Sequence, residues 1–144
     1  MHASDIVRAV YEALTSVDPD TIRAAAGRYF ADDIVVHEPE SLPWGGMYRG
    51  RELVTGLMAN IGDPASPIAA AHLSIDRLVH TPFDDGSHEV IAAVSFPWRG
   101  AERKIPMQAL EWFTVRDGLV TEIRVYLWDT AAGLAALKPA EAES

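Results

Sequence analysis

The chain of 144 residues contains no cysteine. Disulfides, thiolate nucleophiles and cysteine-ligated zinc are therefore excluded. Positive charge is scarce as well: 12 Lys and Arg stand against 21 Asp and Glu, a formal charge of −9. Nucleic acid and anionic membranes call for clustered Lys and Arg, so neither is an expected partner. No apolar run approaches the ~18 residues of a membrane-spanning helix. Met1 to Arg8 lacks the basic start and apolar run of a secretory signal, which makes the cytoplasm the expected location. His-Glu-x-x-His spacing, a Walker or Gly-x-Gly-x-x-Gly loop and a Gly-x-Ser-x-Gly elbow are all missing. The five histidines do not assemble into a metal site by spacing, and no cofactor is expected.

What is present is ordinary for a globular chain, with 49% apolar and 23% charged residues. The length predicts one domain over 1–144, with 138–144 a frayed tail. Ser4 is the expected cap of a first helix whose inner stripe is Ile6, Val7, Val10, Tyr11 and Leu14. Asp18 caps a second, with Pro19 at its first position and Ile22, Ala25, Ala26, Tyr29 and Phe30 inward. Asp32-Asp33 ends it, and a strand runs from Ile34 to Glu38. A Pro- and Gly-rich loop spans Pro39 to Gly50, and a third helix runs from about Arg51 to Ile61.

The remainder reads as strands from about His72 to Thr81, His88 to Trp98, Arg103 to Arg116 and Leu119 to Trp128. Asp-Gly pairs mark two of the hairpins between them. Pro97 and Pro106 predict bulges or free edges, and a tail helix follows over Ala131 to Leu137. Helices first and an antiparallel meander second is an α+β pattern with helices on one face of the sheet.

Two carboxylates break the patterning. On the strand from Arg103, Ile105, Met107, Ala109, Glu111, Phe113 and Val115 share one face, and Glu111 is its one charged member. On the earlier strand Glu38 shares a face with Ile34 and Val36, just before Pro39. A carboxylate without partners in apolar surroundings raises its pKa rather than remain charged. If both face one pocket, only one of the pair ionises easily, which yields a base and a neutral acid. Tyr11, on the buried stripe of the first helix, is placed to add a hydroxyl donor. The plain alternative for each Glu is a side chain that snorkels to water or binds a backbone donor, and for Tyr11 simple packing. His37 alternates to the outer face, and His80 and His88 face each other across a hairpin.

Several stretches resemble the NTF2-like superfamily, in particular its ketosteroid-isomerase-like and SnoaL-like (polyketide cyclase) branches. They are Val10-Tyr-Glu-Ala-Leu14, Phe30-Ala-Asp-Asp33 with Val36-His-Glu-Pro39, Tyr48-Arg-Gly-Arg-Glu52 and Leu110-Glu-Trp-Phe-Thr-Val-Arg-Asp-Gly118. The resemblance implies a cone: three N-terminal helices on a strongly curved, mostly antiparallel sheet that encloses one pocket. It also implies a cofactor-independent acid–base enzyme acting on a polyketide-like or steroid-like molecule by proton abstraction, leading to cyclisation or isomerisation. Glu38 then takes the place of the base, Glu111 of the protonated acid and Tyr11 of the assisting donor. Both positions carry Glu where ketosteroid isomerases carry Asp, and Phe30 and Met58 fall where supporting tyrosines occur in some of them.

The expected lining is Trp44, Phe30, Met58, Met107, Ala109, Phe113, Val125 and Leu127. Epoxide opening by the same carboxylates, or a non-catalytic small-molecule-binding dimer, are the alternatives. Leu110, Trp112, Tyr126 and Trp128 collect on the sheet face opposite Glu111, a patch suited to a symmetric homodimer.

Overall fold

A computed structural model describes residues 1–139; the rest of the expected tail lies outside the described residues. The first helix, α1 (Ala3–Thr15), begins earlier than the sequence implies. The Asp5 carboxylate accepts the His2 backbone N–H at 3.2 Å, so His2 is the cap and Ser4 lies within the first turn. In α2 (Pro19–Tyr29) the cap is Asp18, which accepts the Thr21 N–H at 3.0 Å with Pro19 opening the helix.

The first strand, β1 (Phe30–Glu38), takes over where a helix end and a break were expected. Phe30 is not helical but pairs with Val120 of β6 (Leu119–Leu127), in parallel. The register shifts between Phe30 and Val35, where Asp32 and Asp33 are both exposed. Two aspartates side by side thus mark a bulge in a strand rather than a helix stop. A short strand, β2 (Gly46–Arg49), lies within the expected loop and pairs antiparallel with β1. At four residues, with Met47 largely exposed, it is too short to leave a periodic signal.

Next come α3 (Arg51–Ile61), a turn of 3₁₀ helix (Ala70–His72), β3 (Ser74–Pro82), β4 (His88–Arg99), β5 (Lys104–Arg116) and, after β6, α4 (Thr130–Leu137). The six strands form one mixed sheet in the order β2-β1-β6-β5-β4-β3. Only β1–β6 is parallel. Asp117-Gly118 makes the tightest hairpin, both residues having positive φ (50° and 75°), as a primed turn requires.

Alternation decides the faces. Val90, Ala92, Val94, Phe96 and Trp98 of β4 are all buried, as are Met107, Ala109, Phe113 and Val115 of β5. Against that surface pack Ile6, Val7, Val10, Tyr11 and Leu14 of α1. The two prolines do not bulge the sheet: Pro97 pairs with Pro106 and the β4–β5 register runs through them unbroken. Both lie past the ends of the flanking strands, as the free-edge expectation has it: β3 pairing stops at Ser95 and β6 pairing at Ala109, and the Pro97 carbonyl accepts from the Ala69 N–H at 3.0 Å.

Trp98 ties the C-terminal helix to the sheet. It has no exposed surface, and its Nε1–H donates to the Gly133 carbonyl of α4 at 3.1 Å. A Cβ on Gly133 would lie 3.1 Å from the Trp98 ring, so helix backbone rests directly on the indole. Trp98→Ala is expected to lower the unfolding free energy by about 3–5 kcal/mol, the usual cost of emptying an aromatic site, measured by urea unfolding.

Candidate functional site

Glu38 is the last residue of β1, and Pro39 has no N–H with which to extend the ladder. Strand alternation turns its side chain inward with Ile34 and Val36, leaving it 8% exposed. Glu111 stands on the inner face of β5 between Ala109 and Phe113. Its cross-strand neighbours are Ala92 on β4 and Val125 on β6, neither able to hydrogen-bond a carboxylate through its side chain. The partner comes from α1 instead: the Tyr11 hydroxyl donates to Glu111 Oε1 at 2.8 Å. The Tyr11 ring is held edge-on against Phe113, with centroids 5.7 Å apart.

The electrostatics follow from this burial. Glu111 keeps some accessible surface; burial raises its pKa, and the Tyr11 hydrogen bond offsets only part of that rise. Glu38 is pushed up to about 8, first by burial and then by the charge of Glu111. The Trp44 indole lies close enough to hold this rise back slightly. It does not close a hydrogen bond of regular geometry, and its Nε1 is buried with no partner. Leaving such a donor unpaired costs roughly 1–3 kcal/mol. Tyr11 is raised well above its usual value by burial and by Glu111, so its hydroxyl stays neutral and donating.

The two carboxylates line a common cavity. Of the expected lining, Trp44, Ala109, Val125 and Leu127 are there. Phe30, Met58, Met107 and Phe113 are not: all four are buried, but they are packed into the core. Sharing a strand face with Glu111 places Met107 and Phe113 on the correct side of the sheet without placing them at the cavity. Tyr11 also stays outside the lining, reaching the site only through Glu111.

The walls missed by the sequence reading include Leu42 from the loop after β1, Ile61 at the end of α3, Ile68, Leu73 and Trp98. Ile61 falls three residues after Met58 and Phe96 alternates with Val94, so spacing could have found both, whereas Leu42 and Ile68 sit in loops with no periodicity to read. The hollow they leave is only about 40 Å³, enough for a water molecule or so.

On the outer face His37 contacts Glu122 at 3.1 Å, as its alternation implies. His80 and His88 meet at 2.8 Å on the exposed hairpin. Among the described residues no three His, Asp or Glu side chains cluster as metal ligands, and no helix is long and apolar enough to cross a membrane.

A family model described as a SnoaL-like domain matches residues 7–123. The chain belongs to that family. No curated protein matches it significantly in sequence. Solved structures share the fold of this SnoaL-like chain at low identity. One is a protein of unknown function with a cystatin-like fold from Xanthomonas campestris: TM-score 0.66, 16% identity, 96% of this chain and 100% of that one covered. Another is a candidate SnoaL-like polyketide cyclase from Jannaschia sp. CCS1: TM-score 0.68, 12% identity, coverage 95% and 92%. A third, from Catenulispora acidiphila, has a ketosteroid isomerase-like fold and was solved with trimethylamine: TM-score 0.64, 20% identity, coverage 91% and 90%. The α+β cone expected from the resemblance is therefore the fold of this SnoaL-like chain, with α4 as a fourth helix.

A raised carboxylate pKa has a stability signature. The native state holds a proton on Glu38 that the unfolded chain releases above its ordinary pKa of 4.5, so the native state loses stability as pH rises from about 4.5 to about 8. The penalty at pH 7 is on the order of 3 kcal/mol. Glu38→Gln is expected to be more stable than wild type at pH 7–8 and no more stable near pH 4, as read by thermal melts across that range.

Proposed function

We propose that this SnoaL-like chain is a cofactor-independent acid–base enzyme in which Glu38 removes a proton from carbon next to a carbonyl. The observation that carries this reading is the pair of buried carboxylates sharing one cavity, with a single hydroxyl supporting one of them. Their environments push the two into different roles. Glu38 ionises at about 8, which makes its carboxylate a strong base when formed. Burial raises Glu111 as well, and the acid's role is assigned to it because it already accepts the Tyr11 hydroxyl.

Tyr11 donates to Oε1 of Glu111, so the carboxyl proton belongs on the other oxygen. That proton hydrogen-bonds the substrate oxygen as negative charge develops there. Glu38 then returns its proton to a different carbon, completing an isomerisation, or the enolate closes a ring. The substrate class is an apolar, enolisable ketone of polyketide-like or steroid-like character.

A second reading draws on the cavity itself. A space of about 40 Å³ between two carboxylates fits a water molecule, which Glu38 would activate while Glu111 protonates an opening epoxide oxygen. Running a candidate epoxide in ¹⁸O-water separates the two: the label enters the product only in the hydrolytic case. The non-catalytic binder is the reading that holds if a panel of apolar ketones binds tightly with no exchange of carbon-bound protons.

We also propose a homodimer through the outer sheet face. Leu110 and Tyr126, a directly opposed cross-strand pair, are each about half exposed, and Trp128 is 82% exposed beside them. Trp112 is more covered, with Arg124 stacked 5.5 Å above its ring. Leu110→Glu with Tyr126→Glu is expected to halve the mass seen by sedimentation relative to wild type.

For the chemistry, proton–deuterium exchange at the α-carbon of cyclic unsaturated ketones, followed by NMR, is the direct assay. Glu38→Gln is expected to slow exchange by about 10²–10⁴-fold, the usual worth of a positioned base, while ligand binding persists. The wild-type rate should rise with pH and level off above about 8, because the ionised form of Glu38 is the active one.

A further inference from the structure

The cavity between the carboxylates is far smaller than the 300 Å³ or more that small-molecule sites usually offer. A groove of about 690 Å³ lies beside it, between α3, β2 and the loop after β1. Trp44 and Ile61 line both spaces and form the partition between them. Ile61 is fixed as the last residue of α3. Trp44 is held differently. Its backbone carbonyl accepts from the Tyr48 hydroxyl at 2.6 Å, and the next residue, Gly45, is packed so closely that a Cβ would sit 2.3 Å from the Pro39 carbonyl oxygen. The main chain is pinned, whereas the indole is held only by packing against Trp98, ring centroids 5.7 Å apart, since its buried Nε1 closes no hydrogen bond of regular geometry.

We propose that the groove is the outer half of the substrate site and that the Trp44 side chain is the door between the two halves. The substrate is then an elongated molecule with a reactive apolar end and an uncharged polar tail. The end passes Trp44 to reach Glu38 and Glu111, displacing the indole into the groove side or accepting from its Nε1–H. The tail lies along α3, over Leu53 and Gly56, toward Arg49, Glu52 and Asn60. The side chains of those three polar residues have no hydrogen bond or ion pair among the described residues. Their opposite charges, one from Arg49 and one from Glu52, leave the groove with no net attraction for an ionic tail. The chemistry of the inner chamber is that proposed above, on which the identity of the reactive end rests; the two-part shape of the site does not depend on it.

The test uses two fluorescent probes, 2-naphthol and its 6-substituted derivative bearing a triethylene glycol chain, in stopped-flow binding that involves no proton abstraction. Trp44→Ala is expected to raise the association rate of 2-naphthol about tenfold, with Trp44→Phe between it and wild type. Arg49→Met with Asn60→Leu is expected to weaken the tailed probe about tenfold while leaving 2-naphthol unchanged. Equal association rates in wild type, Trp44→Phe and Trp44→Ala would overturn the door. A tailed probe indifferent to the double substitution, or binding of neither probe to any of these proteins, would overturn the groove. Failure of the acid–base reading shows separately, as proton exchange that survives Glu38→Gln with these binding differences intact.

Discussion

Two carboxyl groups in one nearly dry cavity do not both ionise easily, and the rest of the site is arranged around that constraint. Water solvates an exposed pair and leaves each to ionise near its usual pH; here the walls are side chains such as Trp98, Leu127 and Ala109. The groups that offset the cost are few. Glu111 has the Tyr11 hydroxyl, and Glu38 has only the imperfect approach of the Trp44 indole. The two acids therefore sit in different environments.

The scaffold holds this arrangement through backbone pairing rather than through polar contacts. β1 and β5 are not neighbours in the sheet; β6 lies between them, parallel to one and antiparallel to the other. Glu38 at the end of β1 and Glu111 in the middle of β5 reach the same hollow because the sheet is mixed and concave toward the helices. α1 then lies across the inner face, so that Tyr11 meets Glu111 from a position one hundred residues earlier. The energetic cost of two desolvated acids falls on a core whose apolar side chains are almost fully buried.

Much of this was legible in the sequence. Period-two alternation put Glu111 on the apolar face of β5 and Glu38 with Ile34 and Val36, and helical spacing put Tyr11 on the buried stripe of α1. The same rules misplaced the walls. Phe30, Met58, Met107 and Phe113 face inward as expected, yet facing inward does not distinguish a residue at a cavity from one packed solid. Asp32-Asp33 read as a helix stop because two adjacent acids break either pattern. Only the pairing with β6 shows that they bulge a strand that had already begun.

The sequence by itself determined which side chains must leave water, since alternation and helical period depend only on local backbone geometry and the burial of apolar area. It therefore fixed the inward carboxylates, the hydroxyl behind them and the Pro39 that ends the strand. Tertiary structure alone decided how much space remains between them: a cavity of about 40 Å³, with Trp44 and Ile61 separating it from the groove outside. The volume of a hollow is a small difference between close-packed surfaces contributed by segments far apart in the chain, and no local pattern encodes that difference.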